Sequence, residues 1–582
     1  MIIIMDNISY ELAHSLKTAF EHTQYVNNVS LLNSFWNIMY VGRPNADYCF
    51  KPFIGLCKML KIDQQQLFNE IVNNINITNV TLENGNINFI LTDDYIQQKL
   101  NLILNTDLIK HVDNKKRILV DFSSPNVAKD MHVGHLRSTI IGDIIARYFE
   151  LQGHIVHRIN HIGDFGLPFG MIIQYMIEEY ADFENMRNNI TINNLQEFYA
   201  KSKERFDSDP VFNQMAHQRV VELQNGDPMI NNAWNIIKDI SRDAYNQIYD
   251  RLNVNLEEVG ESFYQNMIPD LVNELNKKNL LIQDNGRLII KIDGHDVPLT
   301  VVKTDGSYTY DTTDLAAIRY RLVNLNVDKI YYVVGTAQTE HFDLIFKAAK
   351  LAGWVRDDQE LHHIGFGLIL GPDGKPFKSR NGDTVKLIDL LDKGIEKSAD
   401  IIKNKSDKLT SEEIDTISRS VAYSAIKYYD LSSSRLKNYK FSYDAILSLT
   451  GNSSVYNLYA YTRIVNILKK LPEDVNMNNI LNIDNFAINH ISERELSLQL
   501  IQFAEVFDRV GNEFYIHYLC DYLYKLSISF HNFYTNCRCI EYAEDKKTIV
   551  EINNFRILLC YLTQKVMSKC FELLNITTLT KM

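Results

Sequence analysis

No stretch of the 582-residue chain approaches the roughly 18 consecutive apolar residues of a membrane-spanning helix, so no membrane contact is expected. There is no C-x-x-C pair either. The seven cysteines are an odd number, and five of them lie after residue 519 among apolar and aromatic neighbours. That pattern argues against a disulfide framework or a zinc site and for buried thiols in a reducing, cytoplasmic setting. Positive charge is also in short supply: 60 Lys and Arg stand against 72 Asp and Glu, a net charge of −12. This argues mildly against a nucleic-acid binder but does not exclude one, because affinity for phosphates depends on local basic surface. The opening MIIIMDNISYEL has an apolar triplet without a basic n-region or a cleavage site, so no secretory signal is expected, and Met5 is a candidate start. Low-complexity tracts and internal repeats are missing. What remains is an ordinary soluble composition, 46% hydrophobic and 23% charged, with length for about three to four domains.

Residues 1–112 read as a small α/β unit, with helical patterns near 8–23 and 53–74 and the alternating segment GNINFIL at 85–91. From Lys115 to about Asp389, strand-like runs alternate with helical ones. RILVDF, HIVHRIN, KIYYVVG and HHIGFGLIL are the strand candidates. Such alternation predicts an α/β, Rossmann-type parallel sheet flanked by helices. A polar, helical stretch near 180–245 reads as an insertion in it. From about 395 onward Tyr, Leu and Ile recur at three-to-four spacing, which predicts an all-α bundle. The expected domains are therefore 1–112, 113–394 and 395–582.

Between RILVDF and a helical run from Leu136 to Leu151 lies SSPNVAKDMHVGHLRSTIIGD (123–143), a strand-to-helix loop; Gly153 is the candidate C-cap. A helix N-terminus presents unpaired N–H groups and a partial positive charge, so it favours anions. At i, i+3, His132 and His135 share one face of the first turn, and Gly134 leaves room for a flat ring near the backbone. Together these suit a nucleotide with a phosphate tail, although two histidines at a helix start can also be purely structural.

Over its full length, SPNVAK-x-x-H-x-GH-x-RS resembles the signature loop of class I aminoacyl-tRNA synthetases, in the form carried by the arginyl enzymes. Further segments resemble the bacterial form of that family: NHIGDFGLPFGMII (160–173), YDRLNVNLEEVGESFY (249–264), DGSYTYDTTDLAAIRYR (305–321), YYVVGTAQTEHFDLIFKAA (331–349), FGLILGPDGKPFKSRNGDTVKLIDLL (366–391), and, in the helical region, AIKYYDLSSSR and GNSSVYNLYAYTRI. The resemblance implies an arginine–tRNA ligase that activates L-arginine with ATP and Mg²⁺ as arginyl-adenylate and transfers it to the 3′ end of its tRNA. It further implies a tRNA-contacting N-terminal domain, a catalytic middle domain and a helical anticodon-binding domain. A cytoplasmic monomer is expected.

A guanidinium is planar, permanently charged and carries five donors, so it needs carboxylates and neutral acceptors in a fixed frame. Tyr310 and Asp314, at i, i+4, share a face if a helix begins there. Matched residue by residue, the resemblance places Ser124, Asn126, Glu261, Tyr310, Asp314 and Gln338 around the arginine. It places Asn126, Lys129, His132, Gly134, His135, Lys375 and Lys378 around ATP, with His132, His135, Lys129 and Lys378 as catalytic residues. The usual second lysine of the mobile loop is not evident in KPFKSRNGD, and Lys129 matches the lysine thought to substitute for it. Each carboxylate or lysine taken singly could equally be a cap or a solvated side chain.

In the C-terminal region Tyr456, Tyr459, Tyr461 and Arg463, then Phe530, His531, Phe533, Tyr534 and Arg538, interleave aromatic and basic character. Such groups read single-stranded loops, yet an aromatic stripe at helical spacing is commonly core; the resemblance assigns Tyr456, Tyr459 and Arg463 to tRNA. Asn86 and Asn88 are weaker N-terminal candidates. Several residues depart from the family pattern: Phe165 for Trp, Leu167-Pro168 for polar residues, Val455 and Leu458 for Pro and Gln, and Asp121 for Glu. Three other readings compete: a synthetase for another amino acid, a small-molecule adenylate-forming ligase, and a non-catalytic tRNA-binding relative. Against them stand the two pocket carboxylates, the long helical C-terminus and the retained histidines respectively.

Overall fold

The structure is a computed structural model that describes residues 7–23, 38–43, 45–72, 75, 78–180, 190–371, 373–375, 385–404, 409–472, 480, 486–545 and 548–581. It divides into two compact units, Val112–Leu447 and the pair of segments Met1–His111 with Ser448–Met582.

The first unit is built on five strands: β1 (Arg117–Asp121), β2 (Ile155–Asn160), β3 (Glu257–Glu258), β4 (Lys329–Tyr332) and β5 (Glu360–His363). Their order is β5-β4-β1-β2-β3, and every neighbouring pair is parallel. This is a Rossmann-type sheet, and β1, flanked by β2 and β4, is where the direction of winding reverses. Ligands bind such sheets at that point, outside the carboxyl ends of the strands. Three of the strand candidates fall on β1, β2 and β4. The fourth run, HHIGFGLIL, covers only the end of β5; its tail forms a separate short strand, Ile369–Leu370, paired with Tyr439–Lys440. β3 has two residues and no apolar pattern to announce it.

The helix after β1, α1 (Val133–Leu151), is nearly all buried and ends just before Gly153, whose φ of +83° carries the chain out of the helix. In the insertion, helices Ile192–Ser208, Pro210–Gln224 and Pro228–Leu252 share a core with Leu167–Glu179 through Phe169, Met176, Phe198, Phe212 and Ile237. Pro168 sits in the first turn of Leu167–Glu179, where a missing N–H costs nothing. Two more helices complete the sheet's surroundings, α2 (Tyr310–Arg319) and α3 (Thr339–Leu351).

The expected boundary at 394/395 moves. Helices Leu387–Lys403 and Ser411–Leu431 belong to the sheet-bearing unit. Asp430 forms a buried ion pair with Arg137 of α1 at 3.0 Å, and Lys427 donates to the Leu252 carbonyl at 3.2 Å. A helix that packs on a sheet and one that packs in a bundle carry the same apolar period, so the pattern alone does not name the partner.

In the second unit, the N-terminal segment carries a four-stranded antiparallel sheet of Ile38–Arg43, Ala46–Phe50, Asn86–Leu91 and Thr78–Glu83, in that order. The helical pattern at 53–74 is broken into Phe53–Leu60 and Gln64–Val72 by Lys61, which is left-handed at φ 54°. This segment and the C-terminal helices form one body. Arg494 grips Asp47 with two bonds of 2.9 and 2.7 Å, and Lys565 donates to the carbonyls of Ile103, Leu104 and Thr106. All seven cysteines are buried free thiols.

Candidate active site

The loop leaving β1 is held in a costly shape. Ser123, Ser124 and Ala128 all have positive φ (76°, 48° and 63°), on the order of 1–3 kcal/mol each for such residues. Surrounding bonds fix it. Ser123 N–H donates to Ser138 Oγ at 2.9 Å, Ala128 N–H to Ser241 Oγ at 3.0 Å, and Tyr245 Oη–H to the Asn126 carbonyl at 2.6 Å. The result places His132 at the N-cap of α1.

There the two histidines lock each other. His132 N–H donates to His135 Nδ1 at 3.0 Å, and Gly134 N–H donates to His132 Nδ1 at 3.1 Å. Burial lowers the pKa of both, that of His135 to about 3 with the help of its neighbour His132. Both rings are therefore neutral at pH 7. With each Nδ1 accepting a backbone N–H, each ring keeps its proton on Nε2 as a donor. A Cβ at position 134 would come within 2.8 Å of the His132 ring, so glycine there protects this arrangement. Lys129 is exposed, its Nζ 4.6 Å from the centroid of the Tyr199 ring.

An acidic pocket stands on the same edge of the sheet. Asn126 bridges to Gly163 in the loop after β2. A Cβ on Gly163 would lie 2.9 Å from Asn126 Oδ1 and 3.9 Å from Glu261 Oε1, so glycine keeps this gap open. Glu261 is held by its own backbone, N–H to the Ile162 carbonyl at 3.0 Å. Its neighbour Ser262 donates from N and Oγ to the buried Asp164, at 2.8 and 2.7 Å. Among the described residues the Glu261 carboxylate has no hydrogen-bonding or ion-pair partner. Burial, then the nearby charges of Asp314 and Asp164, push its pKa up to about 7. A buried carboxylate facing other carboxylates is stabilised in its ionised form by an incoming cation.

α2 does begin at Tyr310, so Tyr310 and Asp314 share a face. Asp314 Oδ2 accepts from His341 Nε2 at 2.8 Å, and the exposed Tyr310 ring lies 5.3 Å from that imidazole. Ser124 reaches the pocket from the other side: its Oγ donates to Asp121 at 3.3 Å, and Asp121 forms a buried ion pair with Arg321 at 2.6 Å. His161 stands between Arg321 and Asp314, with Nδ1 3.5 Å from Arg321 and Nε2 3.9 Å from Asp314. Gln338 ends the turn after β4 with an exposed side chain, on the same sheet edge but without a bond to the others. Lys375 is exposed, its backbone N–H bonded to Asp373. Lys378 lies outside the described residues.

Residues 98–443 match the family described as tRNA synthetases class I (R), catalytic domain, and residues 457–582 match the DALR anticodon binding domain. The chain is 40% identical over 597 residues to the human cytoplasmic arginine–tRNA ligase, covering 100% of this chain and 89% of that one. The chain belongs to the arginyl-tRNA synthetase family. It is 43% identical to the chloroplastic/mitochondrial arginine–tRNA ligase of Arabidopsis thaliana, over 85% of this chain and 77% of the relative. The crystal structure of arginyl-tRNA synthetase from Plasmodium falciparum superimposes with a TM-score of 0.84 at 32% identity, covering 100% of both chains. That of Thermus thermophilus shares the fold at a TM-score of 0.74 and 20% identity, over 99% and 100% of the two chains.

In the second unit, Tyr456, Tyr459 and Arg463 lie along helix Ser454–Leu468. Arg463 is the hub: it donates to Tyr459 Oη at 2.8 Å, contacts His531 Nδ1 at 3.2 Å, and lies 4.7 and 4.8 Å from the ring centroids of Tyr459 and Tyr534. It also lines a surface pocket of about 540 Å³ with Lys470, Tyr534, Arg538 and Tyr542. The aromatic stripe thus splits. Tyr461, Phe530 and Phe533 are core, while Tyr459 and Tyr534 are exposed. Val455 and Leu458 are buried, so these departures from the family pattern are packing residues. Asn88 is buried and bonded to Glu83.

The sequence reading passed over His341, Asp311, His161 and Asp164. All four stand inside quoted segments, but a histidine or aspartate gives no sign there of which carboxylate or backbone group it will face.

Proposed function

We propose that the carboxyl edge of the parallel sheet binds L-arginine and ATP side by side and joins them as arginyl-adenylate. The family's reaction is arginine–tRNA ligation: the arginine carboxylate attacks the α-phosphorus of ATP, pyrophosphate leaves, and the arginyl group passes to the 3′ end of the tRNA. The observation that carries the residue assignment is Glu261, a carboxylate without a partner among the described residues, set across from Asn126 in a gap that Gly163 keeps open and close enough to Asp314 for its charge to be felt. Glu261 and Asp314 take the guanidinium, with Tyr310 along its face. Ser124, Asn126 and Gln338 hold the amino-acid end.

His132 and His135 donate from Nε2–H to phosphate or ribose oxygens, at a helix N-terminus already disposed to anions. Because both are neutral, the rings add oriented dipoles rather than charge. Lys129, Lys375 and Lys378 supply the charge for the leaving pyrophosphate. Among the described residues no cluster of His, Cys, Asp or Glu suits a metal ion. Mg²⁺ would come with ATP and would help to neutralise its phosphates.

The exposed Tyr459–Arg463–Tyr534 surface contacts the tRNA by stacking and phosphate pairing, with Tyr456 at its edge. The N-terminal segment contacts the tRNA as well. The enzyme acts as a cytoplasmic monomer and requires tRNA before it activates arginine. ATP–pyrophosphate exchange with arginine, run with and without tRNA, tests this reading: exchange is expected only with both present, and Asp314→Asn should raise the arginine KM strongly while leaving the ATP KM nearly unchanged. Equal arginine KM in that variant would remove Asp314 from the pocket.

A further inference from the structure

His341 opens α3 and points both ring nitrogens at α2. Nε2 lies 2.8 Å from Asp314 Oδ2, and Nδ1 lies 3.3 Å from Asp311 Oδ1. A neutral imidazole has one N–H and would meet one of these carboxylates with a lone pair. Only the imidazolium donates to both. Burial works to lower the pKa of His341, but the hydrogen bonds to Asp311 and Asp314 outweigh it and hold the value up at about 9. The other groups around it do not compete for this role. Tyr310 shares α2, and His161 is half-buried with its pKa lowered by desolvation. His363 on β5 is likewise lowered by burial and bonds the Val334 carbonyl. Among the described residues, Glu261 makes no bond to either ring nitrogen and senses Asp314 only through its charge.

We propose that His341 is a specificity-determining positioning residue, a built-in cation that ties up Asp311 and one oxygen of Asp314. The proposal rests on the arginine pocket described above. Its consequence is geometric. With Oδ2 fixed by His341, Asp314 keeps Oδ1 in one orientation, 3.9 Å from His161 Nε2, and its charge is felt by the unpartnered Glu261. Two oxygens held in a plane suit the forked donors of a guanidinium; an ammonium, a compact point charge, gains little from such alignment. Without His341, three carboxylates would share the pocket with none of them aligned. Cation attraction would persist and the preference for a planar cation would fall.

The test is ATP–pyrophosphate exchange at saturating tRNA on the full chain, with His341→Gln, Asp311→Asn and Asp314→Asn, and lysine as competing amino acid. His341→Gln is expected to raise the arginine KM at least tenfold, with kcat and the ATP KM within about threefold, while lysine inhibits as well as or better than in the wild type. Asp311→Asn, which removes the far anchor of the ring, should shift the arginine KM in the same direction by a smaller factor. It decides the matter if circular dichroism shows His341→Gln to be unfolded. An arginine KM within twofold of wild type in His341→Gln, or in Asp311→Asn where that variant decides, while Asp314→Asn raises it, would overturn the role of His341 and leave the pocket standing. No change in Asp314→Asn would remove the pocket itself.

Discussion

His132 and His135 stand with ring centroids 3.9 Å apart, each accepting a backbone N–H at Nδ1 and each thereby left with its proton on Nε2. One histidine caps α1 and the other caps the cap. Their structural and chemical roles can be separated. His132→Ala should lose about 1 kcal/mol of stability as an N-cap and about 2.7–4 kcal/mol of transition-state stabilisation, the loss seen for an oxyanion donor. His132→Asn should keep the cap and still lose most of the rate. Thermal unfolding and single-turnover activation measure the two effects. An asparagine variant with wild-type activation would assign His132 to capping alone.

Glu261 makes arginine binding pH-dependent. Its pKa is raised to about 7 by burial and the nearby carboxylates, so below that pH the group is mostly protonated. A guanidinium favours the ionised form, so binding must release a proton there, and arginine affinity should rise as pH rises through about 7. Calorimetry at pH 6.5 in two buffers of different ionisation enthalpy reads the release directly. Glu261→Gln should bind more weakly and release none. Proton uptake by the wild type would contradict the placement of Glu261 beside the guanidinium.

The same linkage has the opposite practical sign for His341. Its folded-state pKa, about 9, lies above the ordinary value near 6.5. The stability it contributes is therefore fully present below about pH 6.5 and is lost as pH rises through about 9. The melting temperature of wild type should exceed that of His341→Gln at pH 6.5, and the gap should close by pH 9.5. A gap that widened with pH would exclude an imidazolium between Asp311 and Asp314.

Lys129 is exposed and touches only the Tyr199 ring face among the described charged and aromatic contacts, so its removal should not disturb folding. Lys129→Ala should slow activation by tenfold or more, about 1.4 kcal/mol in the barrier, without changing equilibrium arginine binding. Lys129→Arg should recover part of the rate, since a planar fork replaces a compact charge poorly. A rate within threefold of wild type in the alanine variant would return Lys129 to the solvent.

Arg463 organises an aromatic surface in the other unit. Arg463→Ala should weaken tRNA binding by about 1–3 kcal/mol, the scale of one lost stacking platform, and leave exchange at saturating tRNA nearly unchanged. An unaltered tRNA KM would move the contact elsewhere.

How much of this could be read from the chain alone differs from place to place. β1 and β4 announce themselves because a strand covered on both faces is a continuous apolar run, β2 by its β-branched residues Ile155, Val156 and Ile159, and the α1 loop because nucleotide chemistry needs histidines and glycine at fixed spacing. β3, with two residues, gives no such signal. The His341–Asp311–Asp314 bridge joins residues 27 and 30 apart in sequence across two helices, and no local rule pairs them. The moved boundary has the same origin: Arg137 and Asp430 meet across 293 positions, and only that pairing shows where helix Ser411–Leu431 belongs.

The central claim is that the acidic pocket of the sheet edge selects arginine for activation. It is tested most directly by ATP–pyrophosphate exchange with the purified chain, its tRNA substrate, and each of the standard amino acids in turn. The account predicts exchange with arginine alone, reduced by Asp314→Asn through KM and by His135→Ala through kcat. Exchange with a different amino acid, or arginine-dependent exchange indifferent to Asp314, would contradict it.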